Sequence, residues 1–340
     1  MALRSTFSLS VPWLNRFAWF TAACTLLLIC SGGMVTSKGY GLAVPDWPTT
    51  FGYNMFMFPI SKWIGGIFFE HTHRLIASVV GVLTIILAIW LWRVEDRQWV
   101  RSLGLIAVAA VILQGILGGL RVTTMRDQIG IFHACVAQAF LALLVFIALV
   151  RTRLWHSPSV AANSTGLTGQ VWKIALMTTI AIYVQLALGA TMRHQHRDLA
   201  ILDFPTANGA WIPDTSGEAI VKINSWRDAR GLSDVNGFQI WLQMAHRFLA
   251  LLIAIGVIMT FLRATNSSLR RLSILWASGI FIQITLGAWV IWSNKAADIA
   301  TAHVAVGATM LSLGVCICAI TARLQRVDAR STSPFEAVIA

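Results

Sequence analysis

Eight long apolar stretches separated by short polar clusters make up most of the chain: residues 13–34, 70–92, 99–121, 129–150, 171–193, 240–262, 270–292 and 299–322. Each reaches the roughly 20 residues that an α-helix needs to cross about 30 Å of hydrocarbon, so the crossing is solved with helices and not with barrel strands. The pattern predicts an all-α membrane protein with eight transmembrane helices and both chain ends on one side.

The pattern also repeats. Gln114-Gly-Ile-Leu-Gly-Gly119 returns as Gln283-Ile-Thr-Leu-Gly-Ala288, His73-Arg74 as His246-Arg247, and His133 as His303, at offsets of 169, 173 and 170. An even number of spans separates each pair, which makes the repeat parallel and not inverted. The expected architecture is therefore two pseudo-twofold-related four-helix bundles. One covers 13–151 and the other 171–323, joined by a linker over 152–170, with a long loop over 194–239. In the first loop, Val44-Pro-Asp-Trp-Pro48 has a degenerate echo in Ile201-Leu-Asp-Phe-Pro205. Mixed polar and apolar residues over 214–235 predict a short surface helix.

Composition agrees with a lipid solvent. Of the residues, 57% are hydrophobic and 12% charged, against about a quarter charged in soluble domains. A net charge of +12 could suggest nucleic acid, but the cations sit between spans. Arg4, Arg16, Arg93, Arg97, Arg101, Arg151, Arg153, Lys173, Arg263, Arg270, Arg271, Arg323, Arg326 and Arg330 share the side of the termini. The shorter segments of the other side hold only Lys38, Lys62, Arg121, Arg126, Arg193 and Lys295. This bias predicts cytoplasmic termini in an inner membrane and no nucleic-acid partner. Cys24, Cys30, Cys135, Cys316 and Cys318 all fall inside spans and form no redox motif. The Leu-Gly-Gly and Leu-Gly-Ala segments predict close helix contacts.

Candidate chemistry lies in four histidines at equivalent depths. His73, His133, His246 and His303 each fall in the first turns of an even-numbered span, and intramembrane ionisable groups mark functional sites. Two inward imidazoles per bundle suit axial ligation of a planar heme better than a zinc or copper cluster. Arg74 and Arg247 directly follow two of these histidines. They predict either binding of heme propionates or anchoring of the neighbouring loops. Glu70 precedes His73 by three residues on the same helical face, where the second half has Gln243. That asymmetry suggests chemistry in one half and cofactor storage in the other. His71 points to another face, His194 and His196 lack repeat partners, and His156 is expected to be solvated. Three classes stay open: a heme enzyme, a diheme electron-transfer cytochrome, and a transporter built on parallel repeats.

Glu70-His-Thr-His-Arg74, Gly32-Gly-Met-Val-Thr36 with Gly41-Leu-Ala-Val-Pro-Asp-Trp-Pro48, Leu117-Gly-Gly-Leu120, His133, His246-Arg247 and His303 together resemble the heme A synthase family over about residues 28–320. The resemblance implies heme b as a cofactor in the C-terminal half, with His246 and His303 as its iron ligands. It implies heme O as substrate between His73 and His133, with Glu70 as the catalytic carboxylate. The reaction would take the C8 methyl of heme O through alcohol and gem-diol stages to the formyl group of heme A. Heme O synthase, an electron donor and the terminal oxidase assembly machinery are the implied partners. Many members carry an extracytoplasmic cysteine pair that this chain lacks.

Overall fold

The computed structural model describes residues 12–156, 167–194, 199–264 and 267–331. Ten α-helices are described: α1 (Pro12–Ser37), α2 (Gly65–Val94), α3 (Gln98–Thr124), α4 (Asp127–Leu149), α5 (Arg153–His156), α6 (Leu167–Arg193), α7 (Gly217–Asp228), α8 (Gly237–Arg263), α9 (Ser267–Trp292) and α10 (Ala297–Ser331). Among the described residues no strand occurs, only two isolated bridges. Eight of the helices are long and apolar enough to cross a membrane, so this is a multi-pass membrane protein. Expectations for Arg4, His196 and the linker stretch 157–166 fall outside the described residues.

The helices run past their apolar windows. α2 begins at Gly65, five residues before the expected span, and α10 continues to Ser331 beyond Arg323. Backbone hydrogen bonding does not stop where hydrocarbon does, because polar side chains at the ends are solvated without breaking the helix. As a result His73 and His246 sit in the third turns of their helices, and His133 and His303 in the second. α7 answers to the expected short helix of the second loop, capped by Ser216, whose hydroxyl accepts from the Ala219 amide at 3.3 Å.

Contacts close two rings, α1–α2–α3–α4 and α6–α8–α9–α10, and the rings meet through α1–α10, α4–α10 and α4–α6. Leu14, Val80, Leu87, Phe140 and Leu144 fill the first ring, joined by Ala308 of α10. Val171, Ile182, Ile253, Trp276 and Leu311 fill the second, joined by Ala142 of α4. Lipid offers no hydrophobic drive to hold these helices together, so close packing must do so. Gly279 and Gly314 admit Met310, and Thr179 with Trp276, at distances a Cβ would forbid. Outward rows such as Val79, Val82, Ile86 and Ile89 are about half exposed, as a lipid-facing surface requires.

At the end opposite the long loops, Glu95 ties the first ring together. It is buried, accepts from Arg97 Nε at 2.7 Å and pairs with Arg151 at the end of α4, while Arg97 also donates to the Val150 carbonyl at 3.0 Å. Burial pushes the Glu95 carboxyl up, but the hydrogen bonds and charge of Arg97, with the charge of Arg151, outweigh it and hold it below the usual carboxylate range. A depressed carboxyl stabilises the fold at neutral pH, and the contribution is lost as pH falls through the folded-state value. Glu95→Gln is expected to cost about 2–3 kcal/mol, because two arginines lose their charge partner at a partly wetted edge. Unfolding midpoints in detergent–denaturant mixtures check this: the gap between variant and parent should close on acidification.

Candidate functional site

The four histidines share one construction. Each imidazole packs on a glycine of the preceding long helix: His73 on Gly32, His133 on Gly118, His246 on Gly189 and His303 on Gly287. A Cβ at those glycines would lie 2.9, 3.4, 3.4 and 3.1 Å from the respective Cε1 atoms. The glycines repeat as faithfully as the histidines, Gly32 with Gly189 and Gly118 with Gly287. The expected close helix contacts are made at Gly118 and Gly287, where an imidazole of the neighbouring helix fills the space, whereas Gly119 admits the Trp47 indole of the first loop, whose Cδ2 would lie 2.4 Å from a Cβ. Glutamines brace the same helices. Gln114 donates to the His133 carbonyl at 3.0 Å and Gln185 to the His246 carbonyl at 2.8 Å, while Gln283 approaches His303 Nε2 at 3.4 Å.

Above the histidines each half carries a loop of the same design. Asp46 accepts from the amides of Phe51 and Gly52 at 2.7 and 2.8 Å, and Asp203 from those of Asn208 and Gly209 at 2.7 and 3.0 Å. These amides belong to turns with two successive positive φ values, 49° and 76° in the first, 53° and 82° in the second. Burial pushes both aspartate carboxyls up, yet these hydrogen bonds win and hold them below their usual range. The echo between the loops thus extends through residue 210, further than the sequence comparison of 44–48 with 201–205 indicates.

Arg74 and Arg247 direct their guanidinium groups at these loops. Arg74 donates to the carbonyls of Asp46, Thr49 and Val44 at 2.7, 3.0 and 2.8 Å, and Arg247 to those of Asp203 and Thr206 at 2.7 and 2.8 Å. Glu70 is buried, accepts from the Val44 amide at 3.0 Å and pairs with Arg74 at 2.7 Å. Gln243 makes the matching bond from the Ile201 amide at 3.0 Å and adds one of its own to the Ile201 carbonyl at 3.0 Å. The acceptor that Arg74 serves in the first half is therefore served by the glutamine amide in the second.

Other differences between the halves are compensated in pairs. Thr50 Oγ1 lies 3.2 Å from His71 Nδ1, and His71 is enclosed by Phe58 and Trp63 at ring separations of 5.1 and 4.7 Å. The counterparts, Ala207 and Met244, belong to one buried apolar cluster. The large Trp47 faces Gly119, and the smaller Phe204 corresponds to it where Ala288 replaces that glycine. Glu70 against Gln243 is a difference that leaves a charge in one half.

A planar metal cofactor fits the second half. The rings of His246 and His303 are 6.4 Å apart, and two imidazoles bound to one metal need a spacing on the order of 6–6.5 Å, from bonds of about 2 Å plus two ring radii. In all four histidines Nδ1 is buried without a hydrogen-bond partner among the described residues, which a satisfied structural histidine would not be. His73 and His133 lie within electrostatic range of each other and of Arg121.

Comparison with known proteins bears on this arrangement. The model of a family described as cytochrome oxidase assembly protein matches residues 15–315. A heme A synthase of Shouchella clausii is 33% identical over 61% of this chain and 68% of its own length. Those of Geobacillus kaustophilus and Shewanella oneidensis are 24% and 23% identical, over 84% and 87% of this chain and 85% and 92% of theirs. This chain belongs to the heme A synthase family.

Within this heme A synthase family member, three side chains sit differently from their sequence reading. Arg121, placed among the loop cations, reaches into the first half and lies against Gly41 and Gly130. His194 is buried, with Cε1 beside the same Gly130. His156, expected to be solvated, is half-buried. Burial and the charges of Arg97 and Arg323 hold its imidazole below the ordinary histidine range. Only Arg121 left a sequence signal: its counterpart in the repeat, at offset 169, is Val290.

Proposed function

We propose that this protein is a heme A synthase that oxidises the C8 methyl of heme O to the formyl group of heme A for terminal oxidase assembly. The reading is carried by one asymmetry. Two halves share glycine-backed histidine pairs and arginine-anchored loops, and a buried carboxylate, Glu70, stands in one where Gln243 stands in the other. In this reading the N-terminal half, 13–151, takes heme O between His73 and His133. The C-terminal half, 171–323, holds heme b through His246 and His303. Heme b, when bound, supplies a one-electron redox centre. The loop end faces the extracytoplasmic side of the inner membrane, because the basic clusters lie at the other end. Heme O synthase and oxidase assembly factors are the proposed partners, and of the two roles expected for Arg74 and Arg247 the hydrogen bonds to the loop carbonyls support anchoring of the loops.

The physical case for Glu70 as the catalytic carboxylate is its fixed position. The Val44 amide and Arg74 hold one oxygen each, so the group needs no reorganisation when charge changes nearby. A carboxylate so placed stabilises positive charge developing at a methyl carbon or receives the proton that the carbon loses.

Chromatography of hemes extracted from cells co-expressing a heme O synthase tests the reading. Heme A is expected to accumulate with this protein and to be missing without it. Finding heme B alone on the purified protein, with heme O unconverted in the membranes, would identify an electron-transfer cytochrome instead.

A further inference from the structure

Arg121 occupies the last turn of α3 in a cradle made by other elements. Its guanidinium lies against the backbone of Gly41 in the first loop, where a Cβ would come within 2.8 Å of both Nη atoms. Its Nε would lie 3.0 Å from a Cβ at Gly130 on α4. Two glycines therefore make room for one cation. Other arginines set into the fold donate to protein acceptors: the half-buried Arg74 and Arg247 to loop carbonyls, Arg193 to Gly33 and Ser37, and the buried Arg227 to Ser233 and Leu199. Arg121 has no hydrogen bond or ion pair among the described residues. Glu70 and Asp127 lie within electrostatic range, but neither accepts from it, and Glu70 is already held by Val44 and Arg74.

A guanidinium offers five donors in a planar fork that matches a carboxylate. Held in place without an acceptor, it is prepared for one that arrives from outside. We propose that Arg121 binds a propionate carboxylate of the heme taken by the N-terminal half and thereby sets which ring edge meets Glu70. The inference rests on the reading of that half as the substrate site. The chemistry of the substrate agrees with it: on heme O the methyl to be oxidised neighbours a propionate-bearing ring carbon, so anchoring that propionate at Arg121 brings the methyl to the same side of the site. Val290 at the equivalent place in the second half fits as well, since a cofactor that is only retained need not present one particular edge.

The test is a titration of the full-length protein in detergent, its C-terminal half already loaded, with ferric protoheme and with protoheme dimethyl ester, in which both carboxylates are capped. The parent is expected to bind the free acid about 10- to 100-fold more tightly than the ester, the usual range for a charge-assisted hydrogen bond. Arg121→Gln should bind both forms as weakly as the parent binds the ester, with the absorbance of the C-terminal heme unchanged as the measure of folding. Arg121→Lys should recover part of the preference. Retention of the full preference in Arg121→Gln would overturn the proposal, and so would equal affinities in the parent, which need no variant. His73→Ala separates the two levels: if it leaves the titration unchanged, the substrate-site reading itself fails, whatever Arg121 does.

Discussion

Glu70→Gln is expected to abolish heme A accumulation while leaving the protein folded and its C-terminal heme in place. The substitution is unusually clean because the protein already contains its control. Gln243 occupies the equivalent position and holds the Ile201 amide as Glu70 holds the Val44 amide, so a glutamine at 70 can fasten the first loop. Its amide can also take over the Val44 carbonyl, as Gln243 does at Ile201. What disappears is the charge alone. A carboxylate acting on a proton or a developing cation contributes about 10²–10⁴ in rate, and a loss of that size leaves heme O in place of heme A in the extract. Normal heme A in this variant would remove the catalytic role and leave Glu70 as a loop fastener. Glu70→Ala makes a useful contrast, since it abandons the amide and Arg74 together and should lower the yield of folded protein as well.

His303→Ala is expected to strip the C-terminal half of its heme, with occupancy on the purified protein below about a tenth of the parent under dilute conditions. In the proposed reading His246 and His303, whose rings lie 6.4 Å apart, form one ligand pair, so either substitution removes the same site. The double variant should then be no worse than either single one, the non-additivity of residues that act as a unit. Heme-to-protein ratios and the absorbance of the reduced protein provide the measurement. His133→Ala should leave both at the level of the C-terminal site. Full heme retention in both single variants at the second half would show that the pair does not hold the metal.

The location of the eight spans and of the four histidines is a local property, and it was legible. A helix crossing lipid must be apolar along its own length, and a polar ring inside it is conspicuous by itself. The Glu70 and Gln243 difference was legible for a related reason, because a repeat supplies its own alignment within one chain. Helix ends were less so, since the backbone continues beyond the hydrocarbon and the apolar window does not record it.

Other features needed residues from different elements brought together. Arg74 meets the carbonyl of a residue 28 positions away, and Arg193 that of one 160 positions away. The glycines beside the imidazoles read as generic small contacts until the histidines are seen to fill the space above them. Thr50 with His71 and Ala207 with Met244 look like unrelated substitutions until the first pair is found in contact and the second in one apolar cluster.

By itself, then, the sequence determined the solvent, the number and order of the helices, the duplication and the candidates for binding metal. Hydropathy and periodicity act within one segment, where neighbours along the chain are neighbours in space. Tertiary structure alone decided that the conspicuous arginines hold loops, that Arg121, read as a loop cation, stands in the first half without an acceptor, and that two imidazoles converge. Those outcomes depend on which surfaces pack, and in lipid, where burial of apolar area does not choose between packings, shape and hydrogen bonding make that choice.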